Sequence, residues 1–159
     1  MLLVDFSAPG AAAAWTPVND GVMGGRSTSS FLLSPGGATF SGVVSLDGGG
    51  FASVRTRPQG WPTGAATGFT LLVRGDGQRY RFTLRTDDES IQYQAGFVAG
   101  HAWAPVDLAL GDFVPRHRGR TVDGAPPLEA GAIRTLGFLI ADRQGGPFRL
   151  ELASIAART

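Results

Sequence analysis

The chain of 159 residues carries a net charge of +1, and all 14 of its basic residues are arginines. Nucleic acid is therefore not expected as a partner, and the lack of lysine excludes a P-loop lysine, a Schiff-base lysine and a pyridoxal phosphate site. The lack of cysteine excludes disulfides and thiolate catalysis, and it fits a reducing compartment such as the cytoplasm. With 43% hydrophobic residues, the sequence predicts a single domain over residues 1–159.

The sequence shows no segment for membrane insertion or export. No apolar run approaches the roughly 18 residues of a transmembrane helix. The start, Met1 to Phe6, has the character of a strand and lacks the basic and apolar regions of a secretory signal. We therefore expect a cytoplasmic protein with no integral membrane segment.

The N-terminal half predicts short strands separated by turn-rich loops. Residues 15–27 contain several glycines and an Asn-Asp-Gly triplet, which predict a tightly folded irregular loop. Residues 27–33 and 38–46 predict a hairpin, and residues 51–56 predict a further strand. Residues 57–68 are rich in proline and glycine, as is typical of a long Greek-key connection.

The clearest periodicity lies in residues 69–97, where apolar side chains occupy every second position. These side chains are Phe69, Leu71, Val73, Tyr80, Phe82, Leu84, Ile91, Tyr93, Ala95 and Phe97. A period of two predicts strands that bury one face.

Two turns are expected to set the pairing of these strands. The Asp-Gly at residues 76–77 predicts a two-residue hairpin that pairs Val73 with Tyr80. The next turn is expected to pair Leu84 with Tyr93 in the same way. The prediction is one antiparallel meander with one face exposed to water.

The exposed face of this meander is a candidate surface for a polar ligand. Its side chains are Arg74, Arg79, Arg81, Arg85, Gln92 and Gln94. The predicted register sets Arg74 opposite Arg79, which is mildly destabilising unless an anion or a carboxylate lies between them. An ordinary solvated sheet face gives the same pattern, so both interpretations stay open.

The C-terminal part predicts more strands. Residues 103–110 alternate, and residues 133–141 are nearly continuous apolar sequence, typical of a central strand covered on both faces. Residues 142–147 predict a hairpin loop before the alternating strand at 148–152. With about eight to ten short strands and no convincing helix, the fold class is an all-β antiparallel sandwich of jelly-roll type, with a barrel as the alternative.

Catalytic and metal-binding patterns are weak. His101 and His117 lie on different predicted loops, so they do not form a helical metal-ligand pair. Asn19, Asp20 and Asp47 could ligate a structural calcium ion, but tight turns require the same residue types. Because no activated nucleophile or metal cluster is visible, we expect a non-enzymatic protein without catalytic residues, metal or cofactor.

Several motifs occur in the same order as in a known family. They include Trp15, residues 18–27 (VNDGVMGGRS), residues 48–55 (GGGFASVR), residues 75–77 (GDG), residues 118–120 (RGR) and residues 140–142 (IAD). Together they resemble the NADH:ubiquinone oxidoreductase (complex I) intermediate-associated protein 30 family. The resemblance implies a galactose-binding-domain-like jelly roll and a chaperone-like role in assembly of respiratory complex I or a related complex.

Loops carry function on sandwich folds, so we expect a protein partner, an assembly intermediate, to bind at the loops. The candidate partner-binding residues are Asn19, Asp20, Met23, Arg26, Phe51, Arg118, Arg120 and Asp142. One alternative is that Asn19 and Asp20 only fold their own loop. A second is a carbohydrate-binding module that uses the Arg/Gln face and stacks a sugar on Trp61 or Trp103.

Overall fold

The computed structural model describes the backbone of residues 1–159 and all side chains except those of Val22 and Met23. The side chain of Met23, a predicted partner-binding residue, therefore lies outside the described residues. The strands are β1 (Leu2–Asp5), β2 (Trp15–Pro17), β3 (Thr28–Ser34), β4 (Gly37–Val44), β5 (Ala52–Thr56), β6 (Gly68–Gly75), β7 (Arg79–Arg85), β8 (Gln92–Val98), β9 (Ala104–Ala109), β10 (Val114–His117), β11 (Arg120–Thr121), β12 (Thr135–Ile140) and β13 (Gly146–Arg158). Short 3₁₀ helices span Ala12–Ala14, Asp20–Met23, Leu110–Asp112 and Ala130–Ala132.

The strands form two antiparallel sheets that pack face to face. The six-stranded sheet has the order β3-β4-β13-β6-β9, with β1 also paired to β13. The seven-stranded sheet has the order β11-β10-β8-β7-β12-β5-β2. This arrangement confirms the predicted all-β jelly-roll sandwich. None of the helices in the described part of the chain has the length and apolar character required to span a bilayer.

Aromatic side chains from both sheets form the core between the layers. Phe69 of the six-stranded sheet meets Phe82 of the seven-stranded sheet edge to face, with ring centroids 5.5 Å apart. Phe82 in turn lies 5.3 Å from Phe138 on the central strand β12. Every residue of β12 is buried, as predicted for a strand covered on both faces. Such ring contacts add to the stabilisation from apolar burial itself.

The alternating pattern of residues 69–97 correctly predicted which side chains are buried. All ten apolar residues of the pattern belong to the core, and β7 pairs with β8 as expected, with Leu84 opposite Tyr93 and Phe82 opposite Ala95. The alternation therefore identified the core-facing side of each strand.

The predicted hairpin between β6 and β7 is wrong. β6 pairs with β13 and β9 in one sheet, whereas β7 pairs with β8 and β12 in the other. Val73 thus lies opposite Leu152 and not opposite Tyr80. The turn at residues 76–77 carries the chain from one layer to the other, and both strands direct apolar side chains into the shared core. The loop at residues 142–147, also predicted as a hairpin, crosses between the sheets in the same way, from β12 to β13.

The carboxylate of Asp76 holds the crossing turn. It accepts hydrogen bonds from the Tyr80 hydroxyl at 2.9 Å, the Gln78 side-chain amide at 2.6 Å and the backbone N–H of Arg149 at 2.8 Å. Burial opposes ionisation of Asp76, but these hydrogen bonds outweigh it and hold its pKa below the ordinary value. Because Tyr80 and Arg149 belong to different sheets, one carboxylate fastens the two layers together.

Candidate functional site

A groove lies on the outer face of the seven-stranded sheet, on the side away from the core. Strand alternation produces it: Phe82 and Leu84 of β7 point inward, so the arginines of β7 point outward. Its volume is about 690 Å³, within the range of small-ligand sites. The residues that line it, and that define what we call the arginine groove, are Val18, Phe51, Ser53, Val54, Arg55, Arg81, Arg85, Glu89, Ser90, Gln92, Gln94, Arg116, His117, Arg118, Gly119, Leu139, Ala141 and Asp142.

Part of the groove is a network of hydrogen bonds and one ion pair. Arg81 donates a hydrogen bond to Gln94 Oε1 at 2.7 Å and forms an ion pair with Asp142. The Gln94 amide donates in turn to Gln92 Oε1 at 2.6 Å. Asp142 has a left-handed backbone, with φ of 62°, in the loop that leaves β12. These contacts fix the side chains in place and neutralise the charge of Arg81.

The remaining arginines of the groove are not neutralised in this way. They are Arg55, Arg85, Arg116 and Arg118, and no described carboxylate lies within 4.0 Å of their guanidinium groups. Arg85 donates to the carbonyl of Glu89 at 2.6 Å, and Arg116 to the carbonyl of Gly119 at 3.4 Å. The Nε atoms of Arg85 and Arg116 are buried and make no hydrogen bond to any described residue. A buried N–H without an acceptor is unfavourable, so the chain leaves the hydrogen-bonding capacity of these two groups unused.

The electrostatic environment of Arg85 disfavours its own charge. Burial, and after it the positive charge of Arg55, lowers the pKa of Arg85 from the ordinary arginine value, while Glu89 opposes this shift. A guanidinium nevertheless stays protonated at neutral pH. The groove therefore holds cations in a place where an anion would be stabilised.

The arginine groove brings together residues from both predicted sets. Arg81, Arg85, Gln92 and Gln94 come from the candidate polar face, and Phe51, Arg118 and Asp142 come from the candidate partner-binding set. The prediction treated the two sets as separate surfaces. They meet because the loop after β12 and the turn after β10 border the same sheet face.

Other predicted residues lie elsewhere. Arg79, Arg120 and Arg26 are exposed and do not line the groove, and Arg26 lies 3.8 Å from Asp47 at the surface. Arg55 was not among the residues predicted for this face. The signal was present, because Arg55 alternates with buried Val54 in β5.

The placement of Arg74 on the same face as Arg79 is wrong. Arg74 belongs to β6 and therefore to the six-stranded sheet, where its Nε and Nη2 atoms donate to the Glu151 carboxylate at 2.6 and 2.9 Å. The Arg74 guanidinium also lies 4.9 Å from the centre of the Trp103 ring. The hydrogen bond from Arg74 is the largest cause that holds the pKa of Glu151 below its usual value. Arg74 is thus fully partnered.

The two tryptophans considered for sugar stacking do not line the groove. Trp103 packs against Arg74 on the other sheet. Trp61 donates its indole N–H to the carbonyl of Arg134 at 3.1 Å. Their role as stacking residues on the polar face is therefore a wrong prediction, since both rings serve contacts within the chain.

Asp20 is the centre of the glycine-rich loop. It is 1% exposed, and its carboxylate accepts hydrogen bonds from Ser27 N at 2.9 Å, Ser27 Oγ at 2.6 Å, Gly50 N at 2.8 Å and Phe51 N at 3.2 Å. A Cβ on Gly25 or Gly49 would lie about 2.3 to 2.5 Å from the Asp20 side chain. The prediction that Asp20 contacts a partner is corrected: its carboxylate is enclosed by its own chain.

The pKa of Asp20 follows from the same contacts. Burial opposes ionisation, but the hydrogen bonds from Ser27, Gly50 and Phe51 outweigh it and lower the pKa. Asn19 has a similar structural role, because its Oδ1 accepts from Ser29 Oγ at 2.7 Å and from the backbone N–H of Ser53 at 3.2 Å. Across the described residues there is no group of three or more His, Cys, Asp or Glu side chains placed to hold a metal ion.

Comparison with known proteins identifies the family. The sequence profile of complex I intermediate-associated protein 30 matches residues 4–152. This chain belongs to the complex I intermediate-associated protein 30 family. Among its relatives, the mitochondrial protein of that name from Mus musculus is 32% identical over 96 residues, and an uncharacterized protein from Schizosaccharomyces pombe is 29% identical over 165 residues. The matched regions span 56% of this chain and 29% of the mouse protein, and 88% and 75% for the yeast protein.

Solved structures similar to this family member include carbohydrate-binding modules. A family 11 module of a Clostridium thermocellum cellulase superposes with a TM-score of 0.70 at 14% identity, over 99% of this chain and 94% of that one. A family 29 module gives a TM-score of 0.57 at 11% identity, over 100% and 91%. At such identities the likeness shows the shared fold alone, a galactose-binding-domain-like jelly roll.

Proposed function

We propose that this protein is a non-enzymatic binding module that holds a protein partner in the arginine groove during assembly of a protein complex. Membership of the complex I intermediate-associated protein 30 family supports the assembly role, with respiratory complex I or a related complex as the client. The cytoplasm stays the predicted location. The single domain over residues 1–159 likewise stays part of the proposal.

The observation that carries the proposal is the group of unneutralised arginines on one face of a firmly packed sheet. Charged side chains on an exposed sheet face usually sample several conformations in water. In the groove, hydrogen bonds hold Arg81, Gln94 and Gln92 in place. Ordered side chains lose less entropy when they bind, so such a surface favours association. The neighbouring arginines have no described carboxylate within 4.0 Å, so their positive charge can still be compensated by a partner.

The chemistry of the groove favours binding over catalysis. Arginine does not exchange a proton at neutral pH and cannot act as a general base there. The Asp142 carboxylate is held in its ion pair with Arg81, and His117 Nδ1 lies 2.6 Å from the carbonyl of Ser90. The ion pair with Arg81 thus occupies one of the two carboxylates that line the groove.

An affinity-capture experiment tests this function. Tagged wild-type protein and the double variant Arg85→Gln/Arg116→Gln are expressed in the native cell, and co-purifying proteins are identified and then purified for rebinding. The matched control is Arg57→Gln/Arg143→Gln, which removes the same charge from two exposed arginines outside the groove. We expect the groove variant to lose a partner that the wild type and the control retain. Equal recovery and equal rebinding by all three folded proteins would refute the proposal.

A second candidate is carbohydrate binding at the same groove. The fold shared with carbohydrate-binding modules favours it, including a family 11 module solved with a β-1,3-1,4-mixed-linked tetrasaccharide. Isothermal titration of the wild type with that tetrasaccharide gives the test. Saturable heat that disappears in Arg85→Gln/Arg116→Gln would replace the protein partner by a sugar, and the absence of heat would remove this candidate.

A further inference from the structure

We infer that the partner segment bound in the arginine groove is an acidic peptide. Its Asp or Glu carboxylates accept hydrogen bonds from the guanidinium groups of the unneutralised arginines. This inference rests on the proposed function and names the chemistry of its partner.

The charges that line the groove do not balance. Five arginines line it, whereas Glu89 and Asp142 are its carboxylates. Asp142 neutralises Arg81, which leaves four guanidinium groups against Glu89, and Glu89 offers its backbone carbonyl to Arg85. The whole chain has a net charge of only +1, so this positive excess is local and not a general property of the surface. A local excess of this kind selects an anionic segment.

The hydrogen-bonding capacity of the groove points to carboxylates. Arg85 and Arg116 each bury an Nε–H that has no acceptor among the described residues. A guanidinium has five donors and no acceptor, whereas an ionised carboxylate has acceptors alone and matches the planar guanidinium with two parallel hydrogen bonds. One carboxylate at each of the two guanidinium groups would therefore compensate both positive charges, and a small rearrangement of each side chain would let it satisfy both buried Nε–H donors.

The same capacity fits a saccharide poorly. A sugar hydroxyl donates as well as accepts, and pairing of Asp142 with Arg81 leaves Glu89 as the one unpaired carboxylate among the described lining residues. Pyranose rings also stack on aromatic side chains, and Phe51 supplies the one six-membered aromatic ring among the described lining residues. The other two rings considered for stacking, Trp61 and Trp103, are engaged elsewhere. A peptide needs neither feature.

Fluorescence anisotropy with a defined probe tests the inference. The probe is a fluorescein-labelled peptide of about ten alternating Glu and Ser residues, and the matched probe replaces each Glu by Gln. Both are titrated with wild type, Arg85→Gln/Arg116→Gln and the exposed control Arg57→Gln/Arg143→Gln, after thermal melting has shown that each protein is folded. Oligogalacturonate, an acidic saccharide, is titrated in parallel as a competitor.

We expect the Glu peptide to bind the wild type and the control within about twofold of each other, because exposed charges contribute little. The groove variant should bind at least about tenfold more weakly, since two charge-assisted contacts are lost. Binding should also weaken as salt rises from about 50 to 200 mM. Equal affinity for the Gln peptide, equal affinity of the groove variant, or binding of oligogalacturonate alone would overturn the inference.

The two proposals fail in different ways. If the groove variant loses its captured protein but the wild type binds the Glu and Gln peptides equally, the acidic-peptide inference is refuted and the groove remains the partner site. If the groove variant keeps both the captured protein and the peptide, both proposals are refuted.

Discussion

Replacement of Asp20 by Ala is expected to destabilise the fold strongly. The substitution removes the acceptor of three backbone N–H groups, those of Ser27, Gly50 and Phe51, and of the Ser27 hydroxyl. The hydroxyl has another acceptor nearby, the carbonyl of Ser45 at 3.4 Å. The three N–H groups have none and sit around a side chain that is 1% exposed.

The size of the effect follows from these unpaired donors. An unsatisfied buried donor costs roughly 1–3 kcal/mol, and partial relaxation of the loop lowers the sum. We therefore expect the free energy of unfolding to fall by about 3 kcal/mol, and Tm to fall by about 6–12 °C for a chain of this size. Since folding lowers the pKa of Asp20, its contribution is complete above about pH 4 and is lost as the pH falls through the folded-state pKa.

Urea unfolding followed by tryptophan fluorescence at pH 7 and at pH 3 measures both effects. Asp47→Ala is the matched control, because that carboxylate belongs to the facing loop, its side chain is 77% exposed and its contact with Arg26 is 3.8 Å long. The control should change the unfolding free energy by less than about 0.5 kcal/mol. If Asp20→Ala were as stable as the control at pH 7, or if the difference between wild type and Asp20→Ala were larger at pH 3 than at pH 7, the structural role assigned to Asp20 would be wrong.

Two further substitutions test the packing of the sandwich. Tyr80→Phe removes the hydroxyl that donates to Asp76 across the turn between the sheets, and we expect a loss of about 1–2 kcal/mol in urea unfolding; an unchanged midpoint would show that this hydrogen bond does not stabilise the turn. Gly37→Ala would place a Cβ 2.0 Å from the carbonyl oxygen of Leu152, at a φ of 156°, so we expect a loss of at least about 3 kcal/mol. Gly111→Ala meets no atom within 4 Å and should leave Tm within about 3 °C, and equal melting of the two alanine variants would contradict the close approach.

The sequence predicted which side of each strand is buried better than which strands are neighbours. Side-chain alternation reports a face of the sheet, and the faces of β6 and β7 were correct. An Asp-Gly turn followed by alternation looks the same whether the chain folds back in one sheet or crosses to the other. In the structure, Asp76 is hydrogen-bonded to Tyr80 in one sheet and to Arg149 in the other, which stabilises the crossing. Arg149 is distant in sequence, so the local pattern does not reveal this contact.

The end of the C-terminal strand shows a second limit. In β13 the pattern Phe148, Leu150, Leu152 continues inward with Ile155, because the register shifts between Leu152 and Ser154. Such a bulge adds one residue to a strand and exchanges even for odd positions on the core face. The alternating pattern therefore predicted the strand only as far as residue 152.

Only part of the candidate site could be predicted from the sequence, for a related reason. Arg81 and Arg85 were recognised because they alternate with core residues on a long strand. Arg55 lies on the short strand β5, and its neighbour in space, β12, is far along the chain. Asp20 was predicted to be a candidate site residue. The residue type alone does not tell a buried aspartate from an exposed one. Gly25 and Gly49, where a Cβ would collide with the Asp20 side chain, were the signal of burial.

Both ends of the chain lie on the layer opposite the arginine groove. β1 and β13 pair within the six-stranded sheet, and the N-terminal amine of Met1 donates to the carbonyl of Ala157 at 2.8 Å. A purification tag, a surface anchor or a neighbouring domain fused at either end would thus be attached to the six-stranded sheet. Immobilising the protein through a terminus would therefore attach it by the layer that does not carry the groove.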